Sequence, residues 1–184
     1  MASLHSPRIE TPRIVTANDA ELAERVRLGD DEALAALFER HAEAIYHLTF
    51  RLLGSRDDAE DAVQDVFVGL RLALGKYEER GTFGAWLRRL AARTALMRLR
   101  SARTRAMREA AAEVTVESAP PQDDHVERAL AALPAGMRAV VVLKALEGHG
   151  HEEVARLLGI SVSASKVRFH RAILKLKRLL EDSQ

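Results

Sequence analysis

The sequence predicts an all-α fold: two small helical domains joined by a flexible linker, the second a helix-turn-helix. Three observations predict it. Hydrophobic residues make up 47% of the 184 residues but aromatics only 4%. The apolar part is therefore mainly Ala, Leu and Val, which together with abundant Arg and Glu favour helices over sheets. Apolar positions recur at helical spacing in residues 18–108 and again in residues 124–184. Between these blocks, residues 109–123 are rich in Ala and Glu, end in Pro120-Pro121-Gln122-Asp123 and hold no apolar side chain larger than Val. They cannot build a core and read as a linker.

The elements follow in order. Residues 1–17, with two prolines and no sustained period, read as a disordered leader. Asn18 or Asp19 can cap a short helix that carries Leu22, Val26 and Leu28 and closes at Gly29. Asp30 or Asp31 opens the next, whose Leu34, Leu37, Phe38, Ile45, Leu48, Leu52 and Leu53 recur until Gly54. Ser55 with Asp58 resembles a capping box and starts a third helix. That helix places Ala59, Ala62, Val63, Val66, Phe67, Leu70 and Leu74 on one stripe. Lys76 to Gly81 break the pattern as a loop. Thr82 caps a fourth helix with Phe83, Trp86, Leu87, Leu90 and Ala91, continuing through an Arg-rich stretch towards residue 108. In the second block, Val126, Leu130 and Leu133 belong to a short helix. Pro134 opens another with Met137, Val140, Val141 and Leu143 inward. Residues 150–158 and 162–180 form two more, separated by Gly159-Ile160-Ser161.

Composition also narrows function. There is no cysteine, which excludes disulfides and thiolate metal sites and fits a reducing compartment. No apolar run is long enough for a signal sequence or a membrane span, so a cytoplasmic protein without membrane insertion is expected. Net charge is only +1, but the charges are segregated. Residues 57–65 hold Asp57, Asp58, Glu60, Asp61 and Asp65 and no base. Residues 85–108 hold eight arginines, and residues 166–180 six Lys and Arg, with no acid in either stretch. This pattern suggests an acidic face for one partner and basic faces for a polyanion.

The strongest motif is Glu152-Glu153-Val154-Ala155-Arg156-Leu157-Leu158-Gly159-Ile160-Ser161. Small Ala155 allows close helix packing, Gly159 allows a left-handed turn, Ile160 plugs the junction and Ser161 caps the next helix. This is the grammar of a helix-turn-helix, which presents its second helix to a DNA major groove. A helical hairpin with a solvated basic face is the plainer alternative, but spacing, turn chemistry and charge together favour DNA.

Here the sequence resembles a known family. Residues 133–180 look like region four, and residues 21–105 like region two, of the extracytoplasmic-function (ECF) sigma factors of bacterial RNA polymerase. Region two is carried by Ala59-Glu60-Asp61-Ala62-Val63-Gln64-Asp65-Val66-Phe67 and by Gly81-Thr82-Phe83-Gly84-Ala85-Trp86-Leu87-Arg88-Arg89-Leu90-Ala91. The resemblance implies a promoter-recognition subunit without enzymatic residues or cofactor. Its implied domains are 18–108 for core polymerase and the minus-ten element, and 124–184 for the minus-thirty-five element. Its implied partners are core RNA polymerase (clamp helices and flap), promoter DNA and an anti-sigma factor.

Residue by residue, Asp61, Gln64 and Asp65 match positions that face the polymerase clamp helices. They also lie off the apolar stripe, and Asp65 is too far into its helix to be explained by the macrodipole alone. Lys76, Arg80, Trp86, Arg88, Arg89 and Arg93 match the segment that holds the melted minus-ten strand, where stacking surfaces and bases are needed. For Trp86, spaced from Phe83 and Leu90 as a core residue would be, packing is the better-supported role. Ser161, Lys166, Val167, Arg168, His170 and Arg171 belong to the minus-thirty-five reader, Arg168 on the phosphate side and Lys166, Val167, His170 and Arg171 towards the groove.

The departures concern the DNA sequence read. Ser163-Ala164-Ser165 stands where the family has Gly-Thr-Val, so Ser165 occupies a normally buried apolar position and Val167 a polar one. Thr94 and Met97 replace the usual Asn and Asp. His149 and His151 point apart on a helix, so no metal site is expected. A conventional helix-turn-helix regulator would leave residues 55–100 idle, and a nucleic-acid enzyme would need a carboxylate cluster or phosphate loop that does not appear.

Overall fold

A computed structural model describes residues 17–77, 81–108 and 125–181. Residues 1–16, Arg80 and the predicted linker 109–123 lie outside the described residues, as do the side chains of Arg103 and Arg105 to Arg108. Among the described residues there are nine α-helices and no strand: α1 (Asp19–Arg27), α2 (Asp31–Leu53), α3 (Arg56–Val68), α4 (Leu70–Leu74), α5 (Phe83–Arg108), α6 (His125–Ala131), α7 (Ala135–Val141), α8 (His151–Leu158) and α9 (Val162–Glu181). A π-helical turn, Val142–Leu146, extends α7.

Local chemistry sets most boundaries. Asn18 accepts from the Glu21 N–H and Glu21 reaches back to the Asn18 N–H, a full capping box. Asp30 caps α2, and the Ala33 N–H and the Arg25 guanidinium hold its carboxyl below its ordinary value. Gly54 ends α2 in the left-handed region, Ser55 caps α3, and Thr82 Oγ1 accepts from the Ala85 N–H. The predicted third helix is broken at Gly69, although its whole stripe from Ala59 to Leu74 is buried. Three positions differ from the periodic reading, the first being Leu28, which caps the end of α1 and is 79% exposed. Phe38 is 45% exposed, packed edge-on to Phe67, and Val126 is 51% exposed. The π turn was not legible either, because it adds one residue per turn without changing residue type.

Helices α1 to α5 enclose one core, with Leu22, Leu37, Ile45, Leu48, Leu52, Leu70, Leu74 and Leu87 fully buried. The second block has a small core of its own, formed by Leu130, Leu133, Val141 and Ala172. Its Ala139, Val140, Val142, Leu143 and Val154 instead join the first block's cluster without interruption. The two domains therefore pack on each other, α2 against α6, α7 and the π turn, and α5 against α8. Each buried Leu or Val contributes roughly 1.5–3 kcal/mol relative to exposure, against about 0–1 kcal/mol for an exposed ion pair. Apolar burial sets the seam, and the polar contacts register it.

Those polar contacts are specific. The Arg138 side chain is buried and donates to Leu52 O (3.3 Å), Leu53 O (2.7 Å), Ala131 O (3.2 Å) and Leu133 O (3.4 Å). It thus caps the C-terminus of α2 from the other domain. Among the described residues no carboxylate is its partner, and burial lowers its pKa. Gly54 has to be Gly twice over: its φ is +76°, and a Cβ there would lie 2.8 Å from the Arg138 guanidinium. Arg51 Nε donates to the buried Glu127 carboxylate at 2.6 Å. Arg88 donates to both oxygens of Glu147, at 2.9 and 2.5 Å, and Arg100 donates to Leu157 O.

Candidate functional site

Three surfaces carry the residues singled out by the sequence. On α3, Asp61, Gln64 and Asp65 are all exposed, on the side opposite buried Ala62, Val63 and Val66. Val68, 85% exposed, extends that face by one turn. Its i+3 and i+4 spacing from Asp65 and Gln64 could have found it. Beside it lies a shallow apolar groove of about 400 Å³ lined by Leu34, Phe38, Phe67 and Val68. The acidic pair is not bare. Arg98 donates to Asp61 at 3.1 Å and to Asp65 at 2.6 and 2.8 Å, so an arginine of the basic run faces the acidic face.

The second surface is the start of α5 and the segment before it. Lys76 and Arg93 are exposed, Arg89 is half-buried, and neither Arg89 nor Arg93 makes an ion pair among the described residues. Arg88 is different: hydrogen bonds to Glu147 hold its guanidinium above its already high ordinary value, against the opposing effect of burial. Trp86 packs against the core, its ring centroid 4.8 Å from Tyr77 and 5.6 Å from Phe83. Next to this aromatic trio opens a cleft of about 560 Å³ lined by Asn18, Asp19, Arg40, Tyr77, Thr82 and Phe83. It offers an aromatic wall together with polar donors and acceptors.

The third surface is α8, its turn and α9. Gly159 takes φ +65°, and the Ile160 N–H reaches back to Ala155 O. Ser161 Oγ accepts from the Ala164 N–H at 3.1 Å, so Ser161 caps α9. Val154 and Ala155 bury the inner face of α8. Lys166, Val167, His170 and Arg171 recur at i, i+1, i+4 and i+5 on α9 and are exposed, Val167 by 48%. Arg168 is half-buried, its Nη1 3.5 Å from where a Cβ on Gly136 would stand, so it lies over the start of α7.

The histidines have structural partners. His149 Nδ1 lies 3.0 Å from Glu153, while His151 Nδ1 shares a 3.0 Å hydrogen bond with Ser165 Oγ and its ring packs on Phe169. Fully buried Ser165 at an otherwise apolar position is thus satisfied by the neighbouring helix. Ser165→Ala should lower stability by about 1 kcal/mol, because His151 loses a partner while little volume is lost. Far-UV circular dichroism in urea would read this as a lowered midpoint.

Arg51, Glu127, Arg138 and Glu147, which bind the two domains together, were not singled out by the sequence. Nothing in their local spacing marks them, since their partners in the other domain lie 59 to 86 residues away.

The family model for Sigma-70 region 2 matches residues 37–105, and that for Sigma-70, region 4 matches residues 124–176. The chain is 37% identical to RNA polymerase sigma factor CarQ of Myxococcus xanthus, over 86% of this chain and 95% of CarQ. It is 31% identical to ECF RNA polymerase sigma factor SigM of Mycobacterium tuberculosis, over 89% of this chain and 85% of SigM. In fold it is similar to the sigma factor RpoE solved in complex with the anti-sigma factor NepR from Bartonella quintana. That match has a TM-score of 0.59 and 22% identity, and covers 80% of this chain and 96% of RpoE.

Proposed function

The chain belongs to the extracytoplasmic-function subfamily of RNA polymerase sigma factors, promoter-recognising transcription initiation factors, and from that membership we propose which of its surfaces does what. Residues 18–108 act as the polymerase- and minus-ten-binding domain and residues 124–184 as the minus-thirty-five domain. Asp61, Gln64, Asp65 and the adjoining Val68 meet the polymerase clamp helices. Arg88, Arg89 and Arg93 track the backbone of the melted strand. The cleft beside Tyr77 is large enough for a flipped base, with Asn18, Arg40 and Thr82 within its wall. The described residues include no helix long and apolar enough to cross a membrane, and the work is done in the cytoplasm, where the polymerase is. An anti-sigma factor is the third partner, in keeping with the complex of the fold neighbour RpoE with NepR. The groups on these surfaces bind and position, and no nucleophile–base pair is needed for that work.

The observation that carries this reading is the stripe Lys166, Val167, His170 and Arg171, exposed on the first half of the helix after a helix-turn-helix corner. Such a stripe enters the major groove N-terminus first. Lys166 and Arg171 can donate to guanine acceptors, and Val167 offers apolar contact, for example to a thymine methyl.

Two substitutions separate base reading from strand holding. Arg171→Ala should alter which minus-thirty-five variants are transcribed, a loss of about 1–3 kcal/mol of discrimination at one position. Arg93→Ala should weaken open complexes on every promoter and lower the salt slope by about one unit. Run-off transcription on a panel of upstream variants, with and without a pre-melted minus-ten region, measures both. Equal loss on all upstream variants would make Arg171 a phosphate contact and leave base reading to Lys166 and His170.

A further inference from the structure

The cations on the α9 stripe leave its specificity open, because lysine, arginine and histidine bond phosphate oxygens as well as base edges. Val167 stands apart from them. It is 48% exposed, and among the described residues it belongs to neither apolar core. Its neighbours one turn earlier, Ser163 and Ala164, are too small to cover it, and those one turn later, His170 and Arg171, are polar. Alanine would make the better helix at such a position, so the exposed part of the side chain adds little to folding. Ser165, two residues earlier, is also out of character for its place, but the hydrogen bond with His151 accounts for it. Among the described residues nothing accounts for Val167 in that way. The other large apolar residue exposed on the first half of α9 is Val162, at 38%. Five residues earlier, it is turned about 140° away from Val167 at about 100° per residue.

In the major groove the base edges are patterns of polar donors and acceptors, to which thymine alone adds a C5-methyl group. We propose that Val167 is a specificity-determining residue that reads a C5-methyl group in the minus-thirty-five element, so that the chain separates thymine from bases without that methyl and responds to C5-methylation of cytosine at the same place. This deepens, and rests on, the reading that the stripe enters the major groove. The contact buries about one CH2-sized group, which is worth a factor of about four. Lys166 and Arg171 supply more of the affinity, yet a phosphate can satisfy either of them. Val167 can be satisfied only by a base that carries a methyl. A cytosine methylated at C5 presents that group at the same edge, although an N4 donor replaces the O4 acceptor of thymine. Methylation there strengthens a promoter.

The test uses holoenzyme assembled from the full chain and core polymerase, which first selects its preferred minus-thirty-five element from a randomised pool. Each thymine of that element, on either strand, is then replaced in turn by deoxyuridine, which removes the methyl and leaves every hydrogen-bonding group in place. Open-complex formation at limiting holoenzyme should fall about fourfold at one thymine at least. With Val167→Ala the thymine and deoxyuridine templates should become equal at that position, while preferences at other base pairs persist. There, 5-methylcytosine should outperform cytosine about fourfold with the parent chain and not at all with Val167→Ala. Val162→Ala, which removes an exposed valine turned elsewhere, should keep both ratios. Circular dichroism should show Val167→Ala as stable as the parent, since alanine favours an exposed helical position. Deoxyuridine that costs nothing at every thymine, or a thymine preference that survives Val167→Ala, overturns the methyl reading. If the parent still distinguishes upstream base pairs in that case, the groove reading stands and only the role of Val167 falls. A parent chain indifferent to every upstream base pair would remove the groove reading, and the methyl reading with it.

Discussion

Arg138→Met should lower the stability of the first domain as well as the second, by about 2–4 kcal/mol. The substitution keeps a long apolar stem but removes every donor to Leu52 O, Leu53 O, Ala131 O and Leu133 O. A buried acceptor left without a partner costs about 1–3 kcal/mol. Relief of the guanidinium's own desolvation offsets part of that sum, so the net falls short of four separate penalties. The chain has one tryptophan, Trp86, which sits in the first domain against Tyr77 and Phe83. Its fluorescence in urea reports that domain alone. A drop of about 1–2 M in the midpoint at a slope of about 2 kcal/mol/M is expected. If the Trp86 transition stays in place while circular dichroism shows an early loss of helix, the domains are not coupled through Arg138. Arg138→Lys should fall between the two, since an ammonium cannot span four carbonyls on two elements as a guanidinium fork does.

Replacing both Asp61 and Asp65 with Arg should weaken binding to core polymerase by at least about 100-fold, roughly 2.7 kcal/mol. Reversal removes two attractive charges and sets like charges against a surface that selects acids, a combination worth several kcal/mol. The cost to the fold is small by comparison. Both aspartates are more than half exposed in their pairs with Arg98, and exposed pairs contribute about 0–1 kcal/mol. Helical content and the Trp86 unfolding midpoint should therefore be nearly unchanged while a pull-down with core enzyme fails. Unchanged capture would remove α3 from the polymerase interface. Val68→Lys offers a graded version, setting one base on the same face while both aspartates keep their pairs with Arg98.

Where helices start and stop was legible because the determinants are local. Asn18, Asp30, Ser55 and Thr82 cap the helices they were expected to cap, and Gly54 and Gly159 turn where left-handed backbone is needed. The helix-turn-helix and its exposed stripe were legible for the same reason, since both depend on spacings of a few residues. The π turn was not, and neither was the break at Gly69. Each changes the rotation of the chain by a fraction of a turn, which composition does not encode. Phe38 illustrates the limit of periodicity: it has the right phase for the core, but α3 ends beside it and leaves the ring at an edge.

Along the chain, acidic and basic residues are cleanly segregated, and that alone determined that this protein has one acidic face and basic segments suited to DNA. Only the tertiary structure decided which of those charges meet one another. Arg98 lies on Asp61 and Asp65, 37 and 33 residues away, and Arg88 lies on Glu147, 59 residues away. Ion pairs of that separation depend on how whole helices pack. For Arg88 and Glu147, apolar burial sets that packing over a continuous seam of Val140, Val142 and Leu143 with the first domain's core. No local pattern carries that information, because the same residues in the same order would be equally good helices with the two domains apart.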